Sequence, residues 1–262
     1  MKDLKSAGIK ERMLAGETLV GTFIQVAHPA AAEFVGGLGF DFMCLEAEHS
    51  AMGVETIQRL VSAVDCTPCE TLVRIANNDW FLVAGALDAG ASGVICPRVN
   101  SASEAEAFVR SALYPPVGDR GIGPGRVTAY GYNAGPDYRL RANERNLVAA
   151  QVETRQAMEN LADIVALPGL DMVFVGPADL ASSLALRGMD APELREAVRS
   201  IFVTTQGAGK LCGIFAGNAA AAADWMKLGA RLVLLASDLM FLADGAKAAR
   251  GQLTKLAKKK SA

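Results

Sequence analysis

The sequence predicts a single (β/α)8 barrel. Three observations carry that expectation. Eight short runs are β-branched or wholly apolar, a segment of helical period follows each one, and the repeats fill most of 262 residues without a linker between them. A doubly wound open sheet is the alternative, but eight regular repeats in one domain favour closure. With 51% hydrophobic and 21% charged residues, the chain has ample material for one large core.

The first strand is TLVGTFIQV (18–26), and Pro29 suits the first turn of the helix behind it, where a missing N–H costs nothing. The others are FDFMCLEA (40–47), TLVRIA (71–76), GVICPRV (93–99), LVAAQVE (147–153), LDMVFVG (170–176), KLCGIFA (210–216) and RLVLLA (231–236). They lack polar alternation, as parallel strands covered on both faces do. Ser101 and Glu104 form a capping box that opens a helix over 102–113. In RQAMENLADIVAL (155–167), Ala157, Met158, Leu161, Ile164 and Val165 fall on one stripe and predict a helix. Gly39, Gly90, Gly209 and Gly229 stand just before strands, where a left-handed residue closes the preceding helix. Two intervals are overlong: 100–146, holding PPVGDRGIGPGRVTAYGYNAGP, and 177–209, which is expected to carry an extra helix. The domain is taken as 1–262, with the basic end KLAKKKSA (255–262) solvated and frayed.

A net charge of −2 with dispersed basic residues argues against nucleic acid or an anionic membrane as partner. No apolar run reaches the roughly 18 residues of a membrane span. The N-terminal MKDLKSAGIKERMLAG lacks the apolar stretch of a secretory signal, so the expected residence is cytoplasmic. Five cysteines, an odd number, argue against a disulfide framework. Cys66 and Cys69 make a CxxC with neither a second pair for zinc nor a thioredoxin-like context, and read as ordinary small residues.

In such a barrel chemistry sits at the C-terminal strand ends. Those ends carry Gln25, Glu46, Glu48, His49, Arg74, Arg98, Asn100, Gln151, Glu153, Asp179, Asn218 and Asp238. VFVGPADL runs from a buried strand into Gly176-Pro177 and then Asp179, and AAQVET ends its strand at Glu153. Adjacent strands lie about 5 Å apart, so two bare carboxylates there repel unless a cation sits between them. An all-oxygen pair with room for water and a ligand suits a hard ion, Mg²⁺ or Mn²⁺ first, with Co²⁺ or Ni²⁺ as further candidates. The plainer alternative is a helix cap for Asp179 and a surface ion pair for Glu153. Gly176 lets a ligand approach the backbone, and the N–H groups after it open a helix, a setting that binds carboxylates and phosphates.

His49 follows Glu46 and Glu48, and a carboxylate beside it would fix its tautomer for proton transfer. His28 precedes Pro29 and is read as a helix-terminal residue. Two histidines exclude a three-histidine zinc site. Arg74 ends an apolar strand and must face an anion: Glu46, Glu48 or a substrate. The loop GDRGIGPGR (118–126) is glycine-rich and basic without matching a phosphate-binding motif, and reads equally as an anion site, a lid or a plain loop. None of the ten lysines lies at a strand mouth, which argues against Schiff-base chemistry.

The stretches CLEAEHS, LVR, YPPVGDRGIGP, QVET and FVGPADL, in that order, resemble the HpcH/HpaI family of metal-dependent class II pyruvate aldolases over roughly residues 15–245. The resemblance implies a barrel whose divalent metal is held by Glu153 and Asp179 and chelated by a 2-oxo acid. It implies that backbone N–H groups near Gly176, Pro177 and Ala178 receive the acid's carboxylate and that Gln151 lies beside it. Arg74 would stabilise the enolate oxygen, and His49 with an acidic partner would act as base. It further implies a homo-oligomer, commonly a hexamer with the last helix exchanged between neighbours. Where the family usually has aspartate three residues before the histidine, this chain has Glu46, one methylene longer. Arg126, Tyr130 and Tyr132 are expected to shape the pocket of the aldehyde.

The leading expectation is therefore reversible cleavage of a 4-hydroxy-2-oxo acid to pyruvate, or a close analogue, and an aldehyde. A divalent ion would polarise the keto oxygen, His49 would take the hydroxyl proton and Arg74 would offset the developing charge. The rivals are a decarboxylase of a 2-oxo diacid such as oxaloacetate, and a barrel that binds 2-oxo acids without catalysis.

Overall fold

The computed structural model describes residues 7–132 and 134–259, the side chains of Lys258 and Lys259 excepted. Eight parallel strands close into one barrel in sequence order. They are β1 (Leu19–Ile24), β2 (Phe42–Glu46), β3 (Glu70–Arg74), β4 (Gly93–Cys96), β5 (Leu147–Val152), β6 (Met172–Val175), β7 (Leu211–Ala216) and β8 (Leu232–Ser237). All eight expected strands are present, each within its expected stretch or a residue beyond it.

The two-residue period of a strand explains both the core and the site. On β2, Phe42 and Cys44 point inward, and on β3 Leu72 does; on β5 Leu147 and Ala149 do, and on β6 Met172 and Phe174 do, all in one buried cluster. The same parity carried one step further turns Glu46, Arg74, Gln151 and Gly176 toward the mouth. Residues of opposite parity, such as Met43, Leu45, Val73 and Val94, pack outward against the helices. Each such side chain removed from water contributes about 1.5–3 kcal/mol. The other end is closed by the helix Ile9–Leu14, whose Ile9 and Met13 join the interior cluster. Gly21 is required inside the barrel, because an added Cβ would lie 2.5 Å from the Phe42 carbonyl oxygen.

Local expectations resolve individually. Ser101 Oγ accepts the Glu104 N–H at 3.2 Å and caps the helix Ala102–Ala112, while the Glu104 carboxylate accepts the Asn100 N–H rather than that of Ser101, so half of the capping box forms. Pro29 occupies the first turn of the helix Pro29–Gly36, with His28 Nδ1 capping the Ala30 N–H at 3.2 Å. Gly39, Gly90, Gly209 and Gly229 have φ of 88°, 104°, 72° and 105°, the left-handed region. The interval 177–209 holds two helices, Pro177–Ser183 and Pro192–Gly207.

One expectation is corrected. Residues 155–167 form two helices, Arg155–Glu159 and Leu161–Val165, not one. The break is at Asn160, whose side chain donates to the Asn100 carbonyl at 2.7 Å. The basic end is helical through Lys259, as part of the helix Asp238–Lys259; residues 260–262 of the expected frayed tail lie outside those described. The N-terminal reading over 1–16 also falls partly outside them, on residues 1–6. Among the described residues no helix is long and apolar enough to cross a membrane.

Candidate functional site

A cavity of about 310 Å³ opens at the C-terminal strand ends, lined by Phe23, Gln25, Glu46, His49, Arg74, Phe174, Gly176, Pro177, Ala178, Asp179, Phe215, Ser237 and Met240. A larger hollow of about 700 Å³ lies outside the barrel beside the helix Ala102–Ala112, lined by Trp80, Arg110, Asp119 and Arg120 among others. Its two arginines are engaged: Arg110 pairs with Asp119, and Arg120 with Asp88 at 2.5 Å. The strand-end cavity is the candidate site, because two carboxylates, an arginine and a histidine converge there.

Glu46 sits opposite Arg74 in the β2–β3 register and ion-pairs with it. Its other oxygen accepts the N–H groups of Glu48 at 2.9 Å and His49 at 3.0 Å. Glu46 thus folds the loop after β2 back onto itself. The Arg74 guanidinium also lies 4.5 Å from the centre of the Phe23 ring, a cation–π stack. Burial acts against its charge, but Glu46 and Glu48 hold Arg74 above its ordinary range. Arg74 therefore faces Glu46 and Glu48, two of the three anions expected for it.

The structure places the two carboxylates before His49 differently. The carboxylate nearest the imidazole is Glu48, with 3.7 Å between Glu48 Oε2 and His49 Nε2. Glu46 contacts the His49 backbone only.

Glu153 follows β5 and is buried, 2% exposed. One oxygen accepts the Arg98 N–H at 2.9 Å and the other accepts from the Gln151 amide. Across the β5–β6 pairing it stands level with Gly176, where an added Cβ would lie 2.5 Å from Glu153 Oε2. Glycine there spares that oxygen a clash; Glu153 and Gln151 themselves lie behind Gly176, outside the lining of the cavity. Burial, then the nearby Glu48 and Asp179 carboxylates, push the Glu153 carboxyl up to about 7, with the Gln151 and Arg98 hydrogen bonds acting the other way. Asp179 lies exposed in the first turn of the helix Pro177–Ser183, whose N-cap Gly176 offers no side-chain cap. Pro177 has no N–H, so the donors facing the cavity there are those of Ala178 and Asp179.

These residues fit a divalent cation. Glu48, Glu153 and Asp179 interact electrostatically as like charges, and the buried Gln151 Oε1 has no hydrogen-bond partner. A hard cation among oxygen donors removes that repulsion. Among the described residues no three His, Cys, Asp or Glu side chains gather closely enough to hold an ion unaided. A two-carboxylate site leaves the remaining positions to water and substrate.

Other polar residues at the strand ends are structural. Asp238 accepts the N–H groups of Gln25 and Val26, at 3.0 and 2.9 Å, closing β8 onto β1. Asn218 caps the helix Ala219–Lys227, and Asn100 accepts from Thr154 and donates to the Arg98 carbonyl. The loop 118–126 is not a free anion site: Arg120 is engaged by Asp88 and the Tyr114 ring, and Arg126 by Asp65 at 2.6 Å and the Ala89 carbonyl. Arg126 does not line the cavity. Tyr130 and Tyr132 likewise do not line the cavity; they are 64% and 95% exposed. The walls that sequence reasoning missed are Phe23, Phe174, Phe215, Ser237 and Met240. Parity on β1, β6 and β7 could have pointed to the three phenylalanines.

The profile of the HpcH/HpaI aldolase/citrate lyase family matches residues 19–245. Over 240 residues, 91% of each chain, the sequence is 37% identical to a 4-hydroxy-2-oxo-heptane-1,7-dioate aldolase of Salmonella dublin. The crystal structure of an HpcH/HpaI aldolase/citrate lyase family protein from Burkholderia cenocepacia J2315 superposes with a TM-score of 0.88 at 32% identity, covering 94% of this chain and 98% of that one. An HpcH/HpaI aldolase from Desulfitobacterium hafniense DCB-2 gives 0.86 at 29%, covering 95% and 96%.

Proposed function

Because the chain belongs to the HpcH/HpaI aldolase/citrate lyase family, it is a carbon–carbon lyase of aldolase type, and we propose that it reversibly cleaves a 4-hydroxy-2-oxo acid to pyruvate, or a close 2-oxo analogue, and an aldehyde. We assign the divalent cation, Mg²⁺ or Mn²⁺ before Co²⁺ or Ni²⁺, to Glu153 and Asp179. The observation that carries this reading is the burial of Glu153 beside two further carboxylates, with its proton retained up to about pH 7.

When bound, the ion supplies a Lewis acid that polarises the keto group of the 2-oxo acid. The remaining work falls to the chain. The N–H groups of Ala178 and Asp179, at a helix start, receive the substrate carboxylate, and Gln151 lies behind it. His49 takes the proton of the C4 hydroxyl. The C3–C4 bond breaks, its electron pair passes into the enolate of pyruvate, and the aldehyde departs. Arg74, held in place by Glu46 and Phe23, offsets the charge gathering on the enolate oxygen. Protonation at C3 completes pyruvate, and aldol addition runs the steps in reverse.

The oligomer proposed from the resemblance is supported by the helix Asp238–Lys259, which presents Leu242, Leu253 and Leu256 at 62–68% exposure. Cytoplasmic residence is proposed with it.

Purified protein supplied with Mg²⁺ should release pyruvate from 4-hydroxy-2-oxo acids and more slowly release CO₂ from oxaloacetate. CO₂ release without cleavage of any hydroxy acid would replace this reading with the decarboxylase.

A further inference from the structure

Glu46 and Glu48 both stand at the mouth of β2, three residues and one residue before His49. Glu46 is fully engaged: one oxygen pairs with Arg74, and the other accepts two backbone N–H groups. Its extra methylene, relative to aspartate, lengthens its reach toward the guanidinium. Glu48 is the opposite case. Its Oε2 lies 3.7 Å from His49 Nε2 and 3.3 Å from Arg74 Nε. Both Glu48 Oε2 and Arg74 Nε are buried, and neither makes a hydrogen bond. Opposite charges left unbonded at such a distance are misaligned rather than absent, and a modest side-chain rotation joins them. Contacts of this kind in a ligand-free site commonly tighten only around substrate.

We propose that Glu48 is the positioning residue of this site: when a 2-oxo acid enters, its Oε2 closes on Arg74 Nε and His49 Nε2 together. The imidazole is thereby aimed at the substrate hydroxyl and the guanidinium at the enolate oxygen. Glu46 anchors the loop and Arg74 but does not orient the imidazole. The charged groups around Glu48 are Arg74, His49, Glu46, Asp179 and Glu153. This inference rests on the aldolase reading for its catalytic consequence and not for its geometry.

Two histidines in the chain make the test direct. Nitrogen-15 NMR of the imidazoles resolves His49, with His28, the helix cap, as internal reference. Spectra of wild type, E48Q and E46Q are compared with Mg²⁺ and pyruvate added. E48Q is expected to displace the His49 signal and leave His28 in place. It should lower kcat for cleavage on the order of tenfold to a hundredfold, with KM close to wild type and a much smaller loss of Mg²⁺ affinity than E153Q causes. Should E48Q not fold, E48D, which keeps the charge and shortens the reach, serves for the same comparison. An unmoved His49 signal, a larger displacement in E46Q, or a loss of Mg²⁺ affinity as complete as that of E153Q would each overturn the assignment. A wild type that cleaves no hydroxy-oxo acid would remove the aldolase reading and leave the imidazole comparison to decide Glu48.

Discussion

Glu153→Gln should stabilise the metal-free protein at alkaline pH while destroying its activity. Burial and two carboxylate neighbours raise the Glu153 carboxyl from 4.5 to about 7. The folded chain therefore binds this proton more tightly than the unfolded chain does. That contribution is fully present below about pH 4.5 and is lost as pH rises through about 7. The difference corresponds to about 3 kcal/mol, an upper figure because the neighbours relax. Glutamine keeps the shape and carries no charge, so the variant loses this pH dependence. For a chain of this size the effect amounts to roughly 6–12 °C in melting temperature. Thermal denaturation in chelator from pH 5 to pH 8.5 measures it. The wild-type profile should fall relative to E153Q across that range, and Mg²⁺ should restore the wild type at pH 8 but not the variant. Parallel profiles for the two proteins would refute the reasoning. Their difference reports Glu153 together with its carboxylate neighbours, because distant raised groups such as Asp171 are common to both.

The cradle around Glu153 makes a second test. Gly176→Ala places a Cβ 2.5 Å from Glu153 Oε2, so Mg²⁺ affinity by calorimetry should fall at least tenfold while the fold persists; unchanged affinity would show that this oxygen does not face the ion. Arg74→Lys keeps a positive charge but not the planar fork that reaches Glu46 and Glu48 together. Its kcat/KM should drop on the order of a hundredfold, with steady-state cleavage rates as the check. Borohydride added with substrate should trap no covalent adduct, because none of the ten lysines was placed at a strand mouth; an adduct seen by mass spectrometry would overturn the metal-enolate assignment.

The strands were legible because each is covered on both faces, which leaves apolar runs with sharp ends. The ends themselves were overestimated where the chain leaves the ladder but stays apolar. After β4, Arg98 takes a φ of 54° and turns its backbone N–H onto Glu153. Nothing in a linear pattern signals that turn. The helix over 155–167 failed for a similar reason: Asn160 bonds a residue sixty positions away, and periodicity cannot register such a contact. Glu153, Asp179, His49 and Arg74 were visible as polar residues ending apolar strands. Which acid meets which base was not visible. Glu46 and Glu48 share the parity that faces the mouth, and only the β2–β3 register, which puts Glu46 level with Arg74, separates them. The arginines of 118–126 looked free because Asp65 and Asp88 lie far back in the sequence.

The central claim is that a divalent ion held by Glu153 and Asp179 activates a 2-oxo acid at this mouth. Exchange of the pyruvate methyl protons into D₂O, followed by proton NMR, tests it without knowledge of the aldehyde. The methyl signal should decay with Mg²⁺ or Mn²⁺ present and persist in chelator, in E153Q and in D179A. Decay that continues undiminished in chelator, or no decay in metal-loaded wild type, would contradict the claim.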